Sequence, residues 1–275
     1  MDGIMILFFP KSETSASSSF MYVTTVTKTQ TTQSPIYMTT TISPLPFSGM
    51  MVWLTANTMA NATTNSTWKN NAPNANDASN MNKLLPNAYN ATIFNGQPGL
   101  NLAMGNAIFT VAMPARNSPT GLTVLVVLRP VSNENNVYVG LVSRGTTNFP
   151  APFDMYNDQR VIGDGSATNF KFATSSVDLK KLAANTNYLF VFRVAVNANN
   201  TSTISEWLNG KPSTISPNNL TSYGDTSGDF YVGGRADKLT LFSGFIGEVI
   251  YYNRPLSDAE ISSATTYLNS KYKIF

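Results

Sequence analysis

Two carboxylates stand in apolar surroundings in this sequence, Glu248 in G-E-V-I-Y-Y and Glu206 in S-E-W-L-N-G. Glycoside hydrolysis needs two such groups flanking one bond, roughly 5–10 Å apart. On a strand, alternate residues share a face, so a working pair is written with acids two positions apart. Neither glutamate has an acidic neighbour at that spacing. Each therefore reads as a hydrogen-bond acceptor or ion-pair partner, and Glu248 is expected to pair with an arginine such as Arg254 and to hold its strand in place. The chain has no histidine and no cysteine. Ser-His-Asp triads, Cys-His pairs, histidine-metal sites, thiolate-metal sites and disulfides are therefore all excluded. No catalytic residue and no cofactor is assigned.

Oxygen donors suited to a hard cation occur in D-M-Y-N-D-Q-R and G-D-G-S-A-T-N, which offer Asp154, Asn157, Asp158 and Asp164. Turns select the same residue types, and no metal site is assigned. Sugar binding asks for an aromatic platform beside polar groups. Trp68, Tyr156 and Tyr223 fall in polar stretches and, with Asp158, are the candidate glycan-binding residues. Trp53 and Trp207 fall inside strand-like runs and read as core. Asn61, Asn65, Asn90, Asn199, Asn200 and Asn219 each open an Asn-X-Ser/Thr triplet, the acceptor pattern for glycosylation on a secretory route.

The elements that would position these residues are nearly all strands. The 275 residues are 42% hydrophobic, enough for a large core, but only 12% charged, so neutral polar side chains must cover the surface. Net charge is +3 with no cluster of Lys and Arg, which leaves nucleic-acid binding without its main driving term. No apolar run reaches the 18 residues of a membrane-spanning helix. The opening M-D-G-I-M-I-L-F-F-P-K lacks a basic start and a nearby small-residue cleavage site, so it does not read as a secretory signal.

Asn is absent before Asn57 and abundant after it. Residues 1–48 are rich in Ser and Thr and read as an extended arm; Phe20–Thr41 is β-prone but too poor in apolar mass to fold alone, and is expected to be ordered by contact, along an edge of its own sandwich or, the favoured reading, against another subunit. Residues 49–275 read as one all-β domain, with strands expected at Met50–Ala56, Ala91–Gly96, Asn106–Ala115, Leu122–Pro130, Val137–Gly145, Asn169–Thr174, Asn187–Val196, Ser202–Gly210, Asp229–Gly234 and Phe245–Tyr252. In the last of these, alternation places Phe245, Gly247, Val249 and Tyr251 on one face and Ile246, Glu248, Ile250 and Tyr252 on the other. Gly247 marks a bulge or a close backbone approach. Ser257 and Glu260 form a capping-box pattern, followed by Ile261, Ala264, Tyr267, Leu268 and Tyr272 at helical spacing.

The ending G-F-I-G-E-V-I-Y-Y-N-R-P-L-S-D-A-E-I, Gly244–Ile261, resembles the closing strand of laminin-G-like, concanavalin-A-like jelly-roll domains, commonly written G-x-I-x-E-V-x-x-Y-x-R-x-L-S-x-x-E. Gly244, Gly247, Glu248, Arg254 and Ser257 are the structural residues of that match. M-V-W-L-T-A-N-T is similar to the family's opening strand, with Thr55 where Asp is usual. W-K-N-N-A-P-N-A-N-D-A-S, I-F-N-G, E-W-L-N-G and Y-V-G-G-R resemble further family segments in the expected order. The resemblance covers residues 49–275 and implies a two-sheet antiparallel jelly-roll sandwich with a short C-terminal helix. It also implies mostly non-catalytic binding of glycans or proteins. A jelly roll with an arm resembles capsid and virion-surface proteins, and large DNA viruses carry laminin-G-like modules. The expectation is therefore a structural module docked by its arm onto other protein subunits of a virion. The alternative is a lectin or adhesion domain, extracellular or on a cell surface.

Overall fold

The computed structural model describes residues 45–61, 67–82, 84, 87–102, 107–114, 120–131, 140–145, 153–156, 158–163, 170–217, 219–220, 223, 228–238 and 241–275. Residues 1–44, and with them nearly all of the expected arm, lie outside this set. Along the chain come β1 (Met50–Thr55), β2 (Ser79–Asn80), β3 (Tyr89–Phe94), β4 (Gln97–Asn101), β5 (Phe109–Val111) and β6 (Gly121–Pro130). Then follow β7 (Gly140–Gly145), β8 (Phe153–Tyr156), β9 (Gln159–Gly163), β10 (Phe170–Ser175), β11 (Tyr188–Val196) and β12 (Ser202–Leu208). The short β13 (Lys211–Ser213), β14 (Ile215–Ser216) and β15 (Asn219–Leu220) lead to β16 (Asp229–Val232), β17 (Gly244–Tyr252) and the helix α1 (Asp258–Tyr272).

Two antiparallel sheets face each other. One runs β13-β12-β11-β6-β17-β4-β3, with β1 also paired to β17 and β15 to β12; the other runs β14-β10-β9-β8-β7-β16-β5-β2. Apolar residues from the inner faces interlock between them, and Phe153, Phe230 and Tyr251 form an aromatic knot with Phe230 and Tyr251 centroids 4.9 Å apart. The unbroken apolar run of β6 has a simple cause. Val124, Val126 and Leu128 face the partner sheet, while Leu125 and Val127 face α1 and its neighbours on the opposite side. A strand covered on both faces needs no polar alternation.

The closing strand lies inside its sheet, with β6 on one side and β1 and β4 sharing the other. The register against β6 slips between Ile246 and Glu248, a β-bulge at Gly247. One extra residue flips every side chain beyond it. The simple alternation expected from the sequence is therefore corrected: Ile246 shares the interior face with Val249 and Tyr251, while Phe245 packs on the outer face with Ile250 and Tyr252. A Cβ on Gly247 would stand 3.0 Å from the Tyr272 ring, 3.1 Å from Val127 and 3.2 Å from Phe94, so close approach of the helix also requires glycine.

Helix α1 starts where the capping box predicts. The Ser257 hydroxyl accepts from Glu260 N, and the Glu260 carboxylate accepts from Ser257 N. Its buried stripe includes Ile261, Ala264, Leu268 and Tyr272. Lys273 in the left-handed region ends it, and Asn95 Nδ2 caps the last carbonyls, Tyr272 O and Lys273 O. Arg254 grips Glu260 with two bonds, of 2.7 and 3.0 Å, and donates through Nε to Ser48 O. Leu45 is buried and Phe47 packs on the same outer cluster, so residues 45–48 lie against the sandwich.

Candidate functional site

The two glutamates occupy opposite faces of the same sheet. Glu248 is buried on the outer face and accepts from Trp53 Nε1 at 2.6 Å, Lys271 Nζ at 2.7 Å and the Tyr272 hydroxyl at 2.9 Å. Its cation is Lys271; the arginine expected from the sequence, Arg254, is taken by Glu260. The helix brings Lys271 back over β17 from 23 residues away, a distance that strand-level reasoning does not reach. Burial pushes the Tyr267 hydroxyl up to about 12, with the Glu248 charge adding to it, and raises Tyr272 further in the same direction. Burial would also raise Glu260, but the Arg254 and Ser257 bonds outweigh it and hold that carboxyl below its usual range.

Glu206 points into the sandwich. Arg160 from β9 donates to it through Nε, and both side chains are fully buried. The Ser175 hydroxyl donates to its second oxygen, and Arg160 also donates to Gln159 O and Val177 O. This ionic knot ties the two sheets together, since β9 and β10 belong to one and β12 to the other.

Directly beside it opens a cleft of about 340 Å³. Asp158, Ser175 and Ser176 line one part, and Asp178, Lys181 and Leu208 another. Asp158 lies at the end of the β8–β9 hairpin, in which Tyr156 faces Gln159. That hairpin was expected to be a polar loop; an Asn-Asp pair between the strands F-D-M-Y and Q-R-V-I-G was its missed signal. The Asp158 carboxylate has no hydrogen-bond or ionic partner within the protein among the described residues, while its carbonyl accepts from Ser175 N. Ser176 is exposed, and its oxygen accepts from Thr214 N, leaving its hydroxyl proton free to donate. Asp178 accepts from Lys180 N and lies 3.3 Å from Lys181 Nζ. Val177 and Leu182 are buried below, and Leu208 is half-buried at the wall. The cleft therefore offers one free carboxylate, one free hydroxyl and an apolar wall over a rigid ionic floor.

The aromatic candidates are redistributed. Trp68 is fully buried, bridges to Ala78, donates from Nε1 to Thr55 O at 2.8 Å and meets Phe109 edge-on at 5.2 Å. Tyr223 is 2% exposed, with its backbone N bonded to the Ser202 hydroxyl. Neither can be a sugar platform; polar neighbours in sequence hid two side chains that turn into the core. Conversely, Trp53 and Trp207 are only half-buried on the outer face, Trp53 held by Glu248 and Trp207 under the Arg193 guanidinium at 5.1 Å. Of Asp154 and Tyr156 only the backbone is described, and Asn157 and Asp164 lie outside the described residues.

No protein-family model matches the chain, and no curated protein matches it by sequence. Solved structures do share its fold. The Trypanosoma rangeli sialidase in complex with 2,3-difluoro-KDN superposes with a TM-score of 0.50 at 15% identity, over 81% of this chain and 33% of the sialidase. The receptor binding domain of botulinum neurotoxin type G gives 0.51 at 13% identity, over 80% of this chain and 52% of that domain. Domain 4 of an extracellular arabinanase from Geobacillus stearothermophilus, in complex with arabinotriose, gives 0.47 at 12%, over 79% of this chain and 98% of that domain. This chain thus spans about a third of the sialidase it resembles. The shared feature is a jelly-roll-like β-sandwich. Among the described residues no helix is long and apolar enough to cross a membrane.

Proposed function

We propose that this chain is a non-enzymatic carbohydrate-binding module, a lectin-type jelly roll that takes a saccharide in the cleft between the β8–β9 turn and residues 175–182. The observation that carries this reading is the lining of the cleft. A pyranose presents hydroxyls on its edge and C–H groups on its face, and needs orienting polar groups next to an apolar wall. Asp158 supplies the acceptor, Ser176 the donor, and Leu208 the wall. Rigidity is built in by the Arg160–Glu206 pair beneath, which lowers the ordering cost of binding. The solved structures share the fold, and a shared fold does not by itself give function.

Turnover is not part of the proposal. The cleft does hold two carboxylates, but Asp178 is engaged by Lys180 N and Lys181 rather than free to meet a glycosidic oxygen. Glu248 and Glu206 are committed to buried partners. An extracellular or cell-surface setting accompanies the lectin reading. A capsid or virion role, with arm-mediated subunit contacts, rests on residues 1–48, of which 1–44 lie outside the described residues; no described feature favours it over sugar binding.

The test is a panel of immobilised glycans probed with the full chain and with Ser176→Arg, which fills the cleft from an exposed position. The proposal expects binding to at least one glycan family, loss of it in the variant, and no reducing sugar released from the bound glycans. Absence of binding to every glycan, or sustained release of reducing sugar, would overturn it.

A further inference from the structure

Resting on that reading, we infer that the cleft selects neutral saccharides and rejects acidic ones such as sialylated or uronic-acid glycans, with Asp158 as the specificity-determining residue. The lining holds two carboxylates, Asp158 and Asp178, against a single cation, Lys181. That cation is already drawn to Asp178 at 3.3 Å, and with its side chain 83% exposed its charge is screened by solvent. Arg160, beneath the cleft, is fully buried and spent on Glu206 and on two carbonyls. An entering carboxylate would therefore find no cation in the lining other than the Asp178-paired Lys181, and would face the Asp158 charge, which no described residue pairs. Recognition of an anionic ligand calls for an arginine or lysine free to bond it, preferably in a two-pronged geometry. Here the groups are of the opposite kind.

The same groups suit a neutral sugar. Adjacent hydroxyls of a pyranose can both donate to the two oxygens of Asp158, and the Ser176 hydroxyl can donate to a ring or hydroxyl oxygen. Ser175 adds no donor to this set, because its hydroxyl proton is committed to Glu206 and its oxygen accepts from Val177 N. Discrimination therefore falls on Asp158.

The experiment is calorimetric titration of the full chain with pairs of oligosaccharides that differ only by a terminal sialic acid or by oxidation of a hexose to its uronic acid, repeated with Asp158→Asn. The wild type is expected to bind the neutral member at least roughly tenfold more tightly. In Asp158→Asn that preference should shrink towards equality, because the amide keeps the shape and removes the charge. Equal or tighter binding of the acidic member, abolished by Ser176→Arg, would overturn the neutral-sugar inference and leave the lectin reading standing. A preference unchanged in Asp158→Asn would overturn the role given to Asp158. Failure to bind either member of any pair, in a chain whose melting temperature shows it folded, would overturn the lectin reading itself.

Discussion

Glu248 and Glu206 show how the same residue type, each alone in its sequence neighbourhood, becomes structural through partners drawn from afar. Glu248 answers to Trp53, Lys271 and Tyr272; Glu206 answers to Arg160 and Ser175. Breaking a buried pair leaves an uncompensated charge, at a cost of about 3–5 kcal/mol, whereas replacing both partners by apolar groups is often close to neutral. Glu206→Gln is therefore expected to lower stability strongly in denaturant melts, and Glu206→Leu combined with Arg160→Met to lower it less than either single change. A strictly additive double variant would show that the two side chains do not act as a pair. The tyrosines around Glu248 give a pH test. An unfolded tyrosine loses its proton near 10.0, while folded Tyr267 keeps it to about 12. The folded chain holds more protons across that window, so stability is complete below it and falls as pH rises through it. Thermal melts over that range should show Tyr267→Phe declining less steeply than the wild type; parallel curves would contradict the assignment.

At the scale of elements, β17 and α1 close the domain as a unit. Gly247→Ala places a methyl group against Tyr272, Val127 and Phe94, and overpacking of this kind costs about 1–3 kcal/mol. A melting temperature unchanged by that substitution would mean the helix can lift away without loss. Deleting residues 257–275 uncovers Leu125, Val127, Ile250 and Tyr252 and should unfold or aggregate the chain. Much of this was legible in the sequence: the strand F-I-G-E-V-I-Y-Y, the glycine as a bulge, and the Ser257–Glu260 cap are all local signals. The face assignment failed because a bulge is one residue of register that periodicity alone cannot count. The β8–β9 hairpin was missed because its Asn-Asp turn resembles a cation loop. Trp68 and Tyr223 were misplaced because a polar stretch in sequence says nothing of where its one large side chain turns. The cleft was the least legible feature, since Asp158, Ser176, Asp178 and Leu208 come together only through the pairing of β9 with β10 and the facing of the two sheets.

At the scale of the whole molecule, the sandwich is a frame held by an inner ionic knot and an outer helix, with a cleft of mixed character beside Ser175 and Asp158. The frame begins before residue 49, because Leu45, Phe47 and the Ser48 carbonyl all contact it. A chain starting at residue 49 should melt below one starting at residue 45, and equal melting temperatures would contradict a role for residues 45–48. The most direct measurement of the central claim is hydrogen exchange of the full chain with and without saturating neutral oligosaccharide. Added protection is expected to be confined to Asp158 and residues 175–182, and to be absent in Ser176→Arg. Protection elsewhere with none at the cleft, or no change at any saccharide concentration, would contradict that claim.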